Sequence, residues 1–251
     1  MTIAEGATYH SVAEPGIRRK VATILPASTV IGTARRDAVH AVHSEEAPYQ
    51  YLRRAIASGA LMPSERLVEG DLADTLGFSR AAVRVAIVRL AQEGLVERLP
   101  HRGARVRRIS EHEAVDLLEA RMALECHAAE RAAHKATRAD IQRLRTILAA
   151  MEDAIHNNLA GYGKLNAQLH AEIVRIADNL VAARILDDLR SQYTVFHVRH
   201  APVPRDPFDR LKQHRAIVEA IAAHDIEGAS SAMRLHLSNI PTWMRAQRAA
   251  Q

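Results

Sequence analysis

The chain has 251 residues, 48% apolar and 25% charged with aromatics at only 4%, which excludes a disordered chain and predicts two helical domains with cores of Ala, Leu, Ile and Val. Its single cysteine, Cys126, excludes an internal disulfide, and no apolar run reaches the roughly 18–20 residues of a membrane span, so a cytoplasmic location is expected. The net charge of +5 is concentrated: residues 49–108 hold eleven arginines, no lysine and six acids, while the flanking segments each balance to zero, and such an arginine block points to a polyanion partner.

Residues 1–47 show no sustained apolar period and read as a flexible extension. Within them Arg18–Ala34 has the basic start of a signal peptide, but Pro26, Ser28, Thr29 and Gly32 interrupt its middle. A helix is expected from Pro48 to about Ser58, ended by Gly59, and "GALMPSERL" reads as a turn around Pro63 and Ser64. "VEGDLADTLG" is a short helix stopped by Gly77. Ser79 is an N-cap for the next helix, which runs to about Glu93 with Val83, Ala86, Ile87 and Leu90 as its buried stripe. Two short helices hinged on Gly-Phe-Ser form a helix-turn-helix over about 68–87. "LVERL" and "ARVRRI" alternate around "PHRG", which predicts a two-stranded wing and completes a winged helix-turn-helix over 48–109.

Arg80 and Arg84 stand four apart on the second of these helices and project from one side. That helix enters the major groove by its N-terminal residues, where one arginine can take guanine O6 and N7 and the other a phosphate. Ala81 and Ala82 are small enough to allow close approach. Arg102 and Gly103 form a wing tip able to reach the minor groove, and Arg66 is a further phosphate candidate. A solubilising surface pair is the bland alternative for Arg80 and Arg84, and it loses weight beside a basic wing.

The stretch "SGALMPSERLVEGDLADTLGFSRAAVRVAIVRLAQEGLVERLPHRGARV" resembles the winged helix of the GntR superfamily of bacterial transcription regulators. The resemblance implies DNA contacts at Arg66, Ser79, Arg80, Ala81, Arg84, Arg102 and Gly103. The sequence departs from the family at Ser64, where Gly is common, at Val85, where Glu is usual, and at Ala81, often a hydroxyl residue.

From Ser110 onward the chain reads as an all-α bundle, 110–247. Ser110 with Glu113 and Thr137 with Asp140 are capping boxes. Further helices are expected over roughly 138–156, 160–177, 180–198, 208–223 and 226–247, with "APVPRDP" (201–207) a break that supplies Asp206 as N-cap and Pro207 at N1. Asn166 and His170 share one helix face. His214 and His236 are equidistant from a turn at residue 225, so in an antiparallel hairpin both stand ~16 Å from it. Three imidazoles brought together suit zinc, nickel or another divalent transition metal. His112, His127, His134, His156, His197, His200 and His224 lack such a pattern and read as surface or structural.

"LNAQLHAEIVRIADN", "QHRAIVEAIAAHDIEGA" and "AMRLHL" resemble the FCD effector domain of the FadR-type subgroup. The resemblance implies a divalent metal held by an Asp-x-x-x-His pair and two later histidines, which fall here on Asn166, His170, His214 and His236, with Asn166 replacing the usual Asp. It also implies a small carboxylate effector, with Arg121 facing the cavity or serving an interhelical contact. The expected fold is therefore mostly α, a winged helix-turn-helix followed by an FCD-like helical bundle. The expected function is a ligand-responsive transcription regulator, a homodimeric repressor on double-stranded operator DNA, and not an enzyme. Two rivals stand beside it. A helical metalloenzyme lacks a general base and nucleophile near the histidines, since Glu172 falls on another face from His170. An architectural DNA binder would use the bundle only as structure.

Overall fold

The computed structural model describes residues 46–99, 103–157, 159–199 and 206–238. The wing-tip residue Arg102, nearly all of the N-terminal extension and positions 239–247 of the expected last helix lie outside them. The chain divides after Arg107 into two compact units.

In the first unit α1 (Glu46–Ala57) packs on α3 (Arg80–Gln92), as does α2 (Glu69–Leu76). Val83, Ala86, Ile87 and Leu90 of α3 are buried as their spacing predicts. Gly77 ends α2 in the left-handed region at φ 72, its N–H donating to the Ala73 carbonyl, and this turns the chain into α3. The wing pairs β2 (Val96–Leu99) with β3 (Gly103–Val106) in antiparallel register, Val96 opposite Val106 and Leu99 opposite Gly103.

The sheet differs from expectation in having a third strand. β1 (Arg66–Leu67) pairs antiparallel with β3, Arg66 opposite Arg105 and Leu67 opposite Ala104, within the segment read as a turn. Two residues carry no period, and only the partner strand makes them extended. Ser64, just before β1, adopts φ 72 while its N–H donates to Val106 O at 2.9 Å. A left-handed residue at this point explains why glycine is common there.

The second unit is all-helical: α4 (Glu111–Lys135), α5 (Arg138–His156), α6 (Tyr162–Ala177), α7 (Leu180–Arg199), α8 (Pro207–Ala222) and α9 (Ile226–Leu237). α4 is the hub and touches α6, α7, α8 and α9. Its face of Ala128, Ala129, Ala132 and Ala133 is buried, and residues this small let neighbouring helices come close. Leu144, Leu148, Met151, Leu169, Ile173, Ile217 and Ile221 fill the core around it.

Caps fix the helix starts. Thr137 and Asp140 form a complete capping box on α5. Asp206 caps α8 with Pro207 at its first position. Asp225 caps α9 by accepting from Gly228 N at 2.9 Å, and a Cβ on Gly228 would lie 2.0 Å from Asp225 Oδ2, so any other residue there would oblige the carboxylate to turn. The Arg131 guanidinium closes the other end of α6 by donating to the Ala177 carbonyl at 2.8 Å. α9 is shorter than expected. It ends at Leu237 with Ser238 as C-cap, three residues ahead of Pro241, whose ring cannot continue a helix at full hydrogen bonding.

Candidate nucleic-acid interface and metal centre

In the first unit the start of α3 gathers most of the residues singled out in the sequence. Ser79 Oγ accepts from Ala82 N at 3.1 Å, so its lone pair caps the helix while its O–H stays available to a ligand. Arg80, Ala81 and Arg84 are exposed. Arg84 is not a free cation: its Nε donates to Glu69 Oε2 at 2.9 Å, reaching back to the first residue of α2. Arg80 lies with its guanidinium against Gly70, the next residue of α2. Arg66 is exposed on β1, and its partner across the sheet, Arg105, is paired with Glu97. Gly103 opens β3 at φ 83, a conformation that favours glycine. The surface can meet an anion with side-chain cations, one hydroxyl and a capped helix N-terminus.

In the second unit three buried histidines converge from three helices: His170 from α6, His214 from α8 and His236 from α9. One nitrogen of each lies within 4.8 Å of the others. His170 Nδ1 meets Glu125 Oε2 at 2.5 Å, and His236 Nδ1 meets Gln213 Oε1 at 3.2 Å. Both acceptors call for the hydrogen on Nδ1, which in the neutral rings leaves Nε2 with a bare lone pair. Those two Nε2 atoms face each other at 3.3 Å. Two lone pairs so placed repel unless a proton or a cation lies between them.

His214 adds to this demand. It is 0% exposed and neither ring nitrogen has a hydrogen-bond partner of good geometry, the Arg210 backbone being its nearest approach to one. Asn166 Oδ1, one turn before His170, is buried and equally unpartnered. An unsatisfied buried polar atom is costly, and several around one point form a ligand set. Burial pushes the His214 pKa down to about 3, with the charges of His170 and Arg210 adding to it. His236 is pushed to about 2 by burial, then by the charges of His214, His170 and Arg210. Both rings are neutral near pH 7, the form that binds metals. The three imidazoles fit a divalent transition ion, and Asn166 Oδ1, one turn away on the helix of His170, is a further buried oxygen.

Arg121 does not reach the histidines directly. It grips Glu125 instead, with Nη2 at 3.0 Å from Oε1. Glu125 and Arg190 are functional candidates that the sequence reading missed. Glu125 is 1% exposed and also accepts from Arg190 Nε at 3.2 Å. Burial opposes the charge on Glu125 most strongly, yet His170, Arg121 and Arg190 together hold its pKa well below the ordinary carboxylate value. One clue was available: an acid flanked by Cys126, Ala128 and Ala129 falls on an apolar face. Arg190 offered none. Glu172 is engaged with Arg143 and Arg175. His224 bonds the Ala133 carbonyl at 2.8 Å, a structural role, while His112 and His127 pair with neighbouring acids at the surface.

Comparison with known proteins places both units. Residues 45–106 match the family described as bacterial regulatory proteins, gntR family, and residues 116–239 match the FCD domain. The chain is 30% identical over 200 residues to the HTH-type transcriptional repressor RspR of Escherichia coli K12, covering 78% of this chain and 87% of the relative. It is 29% identical over 208 residues to the Uxu operon regulator of Haemophilus influenzae, covering 76% and 78%. Among solved structures it is similar in fold to E. coli McbR/YncC, with TM-score 0.69, 19% identity and coverage of 81% of this chain and 98% of that one. A GntR transcriptional regulator from Rhodococcus sp. RHA1 has TM-score 0.67 and 22% identity, with 80% and 97% covered.

Proposed function

The chain belongs to the gntR family of bacterial transcription regulators and carries that family's DNA-binding module with an FCD domain, and from that premise we propose that it is a homodimeric repressor released from its operator by a small carboxylate. The observation that carries the sensing half of this reading is the buried trio His170, His214 and His236 with its unspent nitrogen lone pairs. These three and Asn166 would hold a zinc or nickel ion. Such an ion supplies Lewis acidity towards carboxylate oxygens. Glu125 fixes the tautomer and orientation of His170, and Gln213 those of His236. Asn166, neutral where a carboxylate is usual, leaves the centre one negative charge poorer and so more receptive to an anionic effector. Arg121 and Arg190 both pair with Glu125, which sets two guanidiniums beside the carboxylate that holds His170.

On the DNA side, Ser79, Arg80, Ala81 and Arg84 would approach the major groove, with Arg66 on a phosphate and Arg102 and Gly103 carrying the wing. A two-fold dimer supplies two such surfaces to a pseudo-palindromic operator. Support for a dimer comes from the first turns of α7, where Leu180, Val181 and Ile185 are 82%, 63% and 43% exposed. An apolar cluster of this kind marks a contact surface. Effector binding releases DNA only as far as its affinity differs between the two dimer geometries.

Elemental mass spectrometry of the purified protein beside His214→Ala tests the centre, and gel shifts with a panel of small carboxylates test release. About one metal ion per chain, lost in the variant, is expected, together with at least one acid that weakens operator binding. Metal-free protein that releases no DNA with any acid would refute the sensing reading and leave only the DNA-binding one.

A further inference from the structure

Both arginines at the start of α3 are met by the first two residues of α2. A guanidinium carries one hydrogen on Nε and four on its terminal nitrogens. The contact of Arg84 with Glu69, 2.9 Å from Nε to Oε2, spends the Nε edge. It leaves free the terminal Nη1/Nη2 end, which can take guanine O6 and N7 together. The Arg84 side chain remains 64% exposed, so that end is open to a ligand. Beside it Gly70 presents bare backbone to Arg80: a Cβ there would stand 3.6 Å from both Arg80 Cζ and Nη2.

We propose that Glu69 is a positioning residue for sequence recognition, anchoring Arg84 by Nε so that its terminal nitrogens address a base edge. The proposal rests on the operator-binding reading above. An exposed arginine has several rotatable bonds, and a side chain already held in its working geometry gives up less freedom on binding. The same carboxylate has a second effect of opposite sign. At a surface that meets phosphates it repels every DNA sequence alike and so weakens non-specific binding. Glu69 thus raises discrimination through Arg84 alone, while its charge lowers affinity for right and wrong sites alike.

The test uses the full chain and two DNA probes, a duplex enriched from a random pool by the wild-type protein and a scrambled duplex of the same composition. Anisotropy titrations at one fixed salt compare wild type, Glu69→Ala and Glu69→Gln. Glu69→Ala is expected to bind the enriched duplex about tenfold more weakly and the scrambled duplex as tightly or more so. Glu69→Gln keeps an acceptor for Nε, so it regains part of the specific affinity while keeping any gain on scrambled DNA. In an Arg84→Lys background, which has no Nε edge, Glu69→Ala leaves discrimination unchanged. Equal losses on both duplexes would mean a structural role, and equal gains a simple charge brake; either overturns the proposal. Thermal melting of each variant separates loss of folding from loss of recognition. A pool that yields no consensus overturns the operator reading, and the positioning role falls with it.

Discussion

Ser64 shows how one backbone angle can hold a family pattern in place. Its φ of 72 puts an L-residue in the left-handed region, at a cost of roughly 1–2 kcal/mol. Glycine there would avoid that cost but give up about 0.5–1 kcal/mol to the freedom of the unfolded chain. The balance leans to glycine, so Ser64→Gly is expected to stabilise the protein by up to about 1.5 kcal/mol. Chemical denaturation measures it, and a destabilised variant would mean that the side chain contributes something its exposed position does not suggest. At this same scale the sequence was only partly readable. His170, His214 and His236 could be found because helical periodicity converts spacing into direction. Glu125 could not be tied to His170, since the contact spans 45 positions and depends on α4 lying against α6. Glu69 was equally hidden, because its partner Arg84 sits on the far side of a turn.

Among the elements, α5 has the most explicit start signal. Thr137 N donates to Asp140 Oδ2 at 2.9 Å and Asp140 N to Thr137 Oγ1 at 3.2 Å, while Arg143 and Arg175 pair with the other carboxylate oxygen. The Thr137 hydroxyl, then its backbone N–H, then Arg175 draw the Asp140 pKa down to about 2. A carboxylate depressed in the folded state contributes stability that is present above its unfolded value of 3.8 and lost as pH falls through about 2. Up to about 2 kcal/mol is at stake. Wild type is therefore expected to exceed Asp140→Asn in stability by up to that amount at pH 7, with the gap closing between about pH 4 and pH 2. Urea midpoints at several pH values read the gap, and one that stays constant with pH would remove the carboxylate as its source. Caps such as this one and Asp206 are local and were readable in the sequence. β1 was not, because its two residues are extended only through their bonds to β3. The end of α9 at Leu237 was not either, because the apolar spacing of the sequence runs on past it.

For the molecule as a whole, the charge division is the feature that was plainest from the start. Eleven arginines against six acids lie in residues 49–108, beside a balanced helical half. A cationic surface that displaces counterions makes binding steeply salt-dependent. Arg66 stands exposed on β1, where a phosphate contact is expected. Arg66→Ala should then weaken binding to all sequences alike and lower the slope of log K against log salt by about one. Arg84→Ala should relax preference at one base pair instead. Titrations at four or five salt concentrations separate the two, and an unchanged slope in Arg66→Ala would take that residue off the phosphate backbone. The fold assigned from the winged-helix motif and the long helical run after it needed little beyond local pattern. The packing of α4 against its neighbours, which sets what surrounds the histidines, lay beyond pattern altogether.

The cap of α9 also sets a direction. Asp225 and Gly228 fix where that helix begins, and His236 lies three turns further along the same screw. Its compass bearing is therefore inherited from residues that never touch the centre. One residue inserted between Asp225 and His236 swings the imidazole by about 100° and carries it away from His170 and His214. One inserted ahead of Asp225 is absorbed by the turn and leaves the bearing as it was. Within this chain, tolerance to length change is set by which side of a capping aspartate the change falls on.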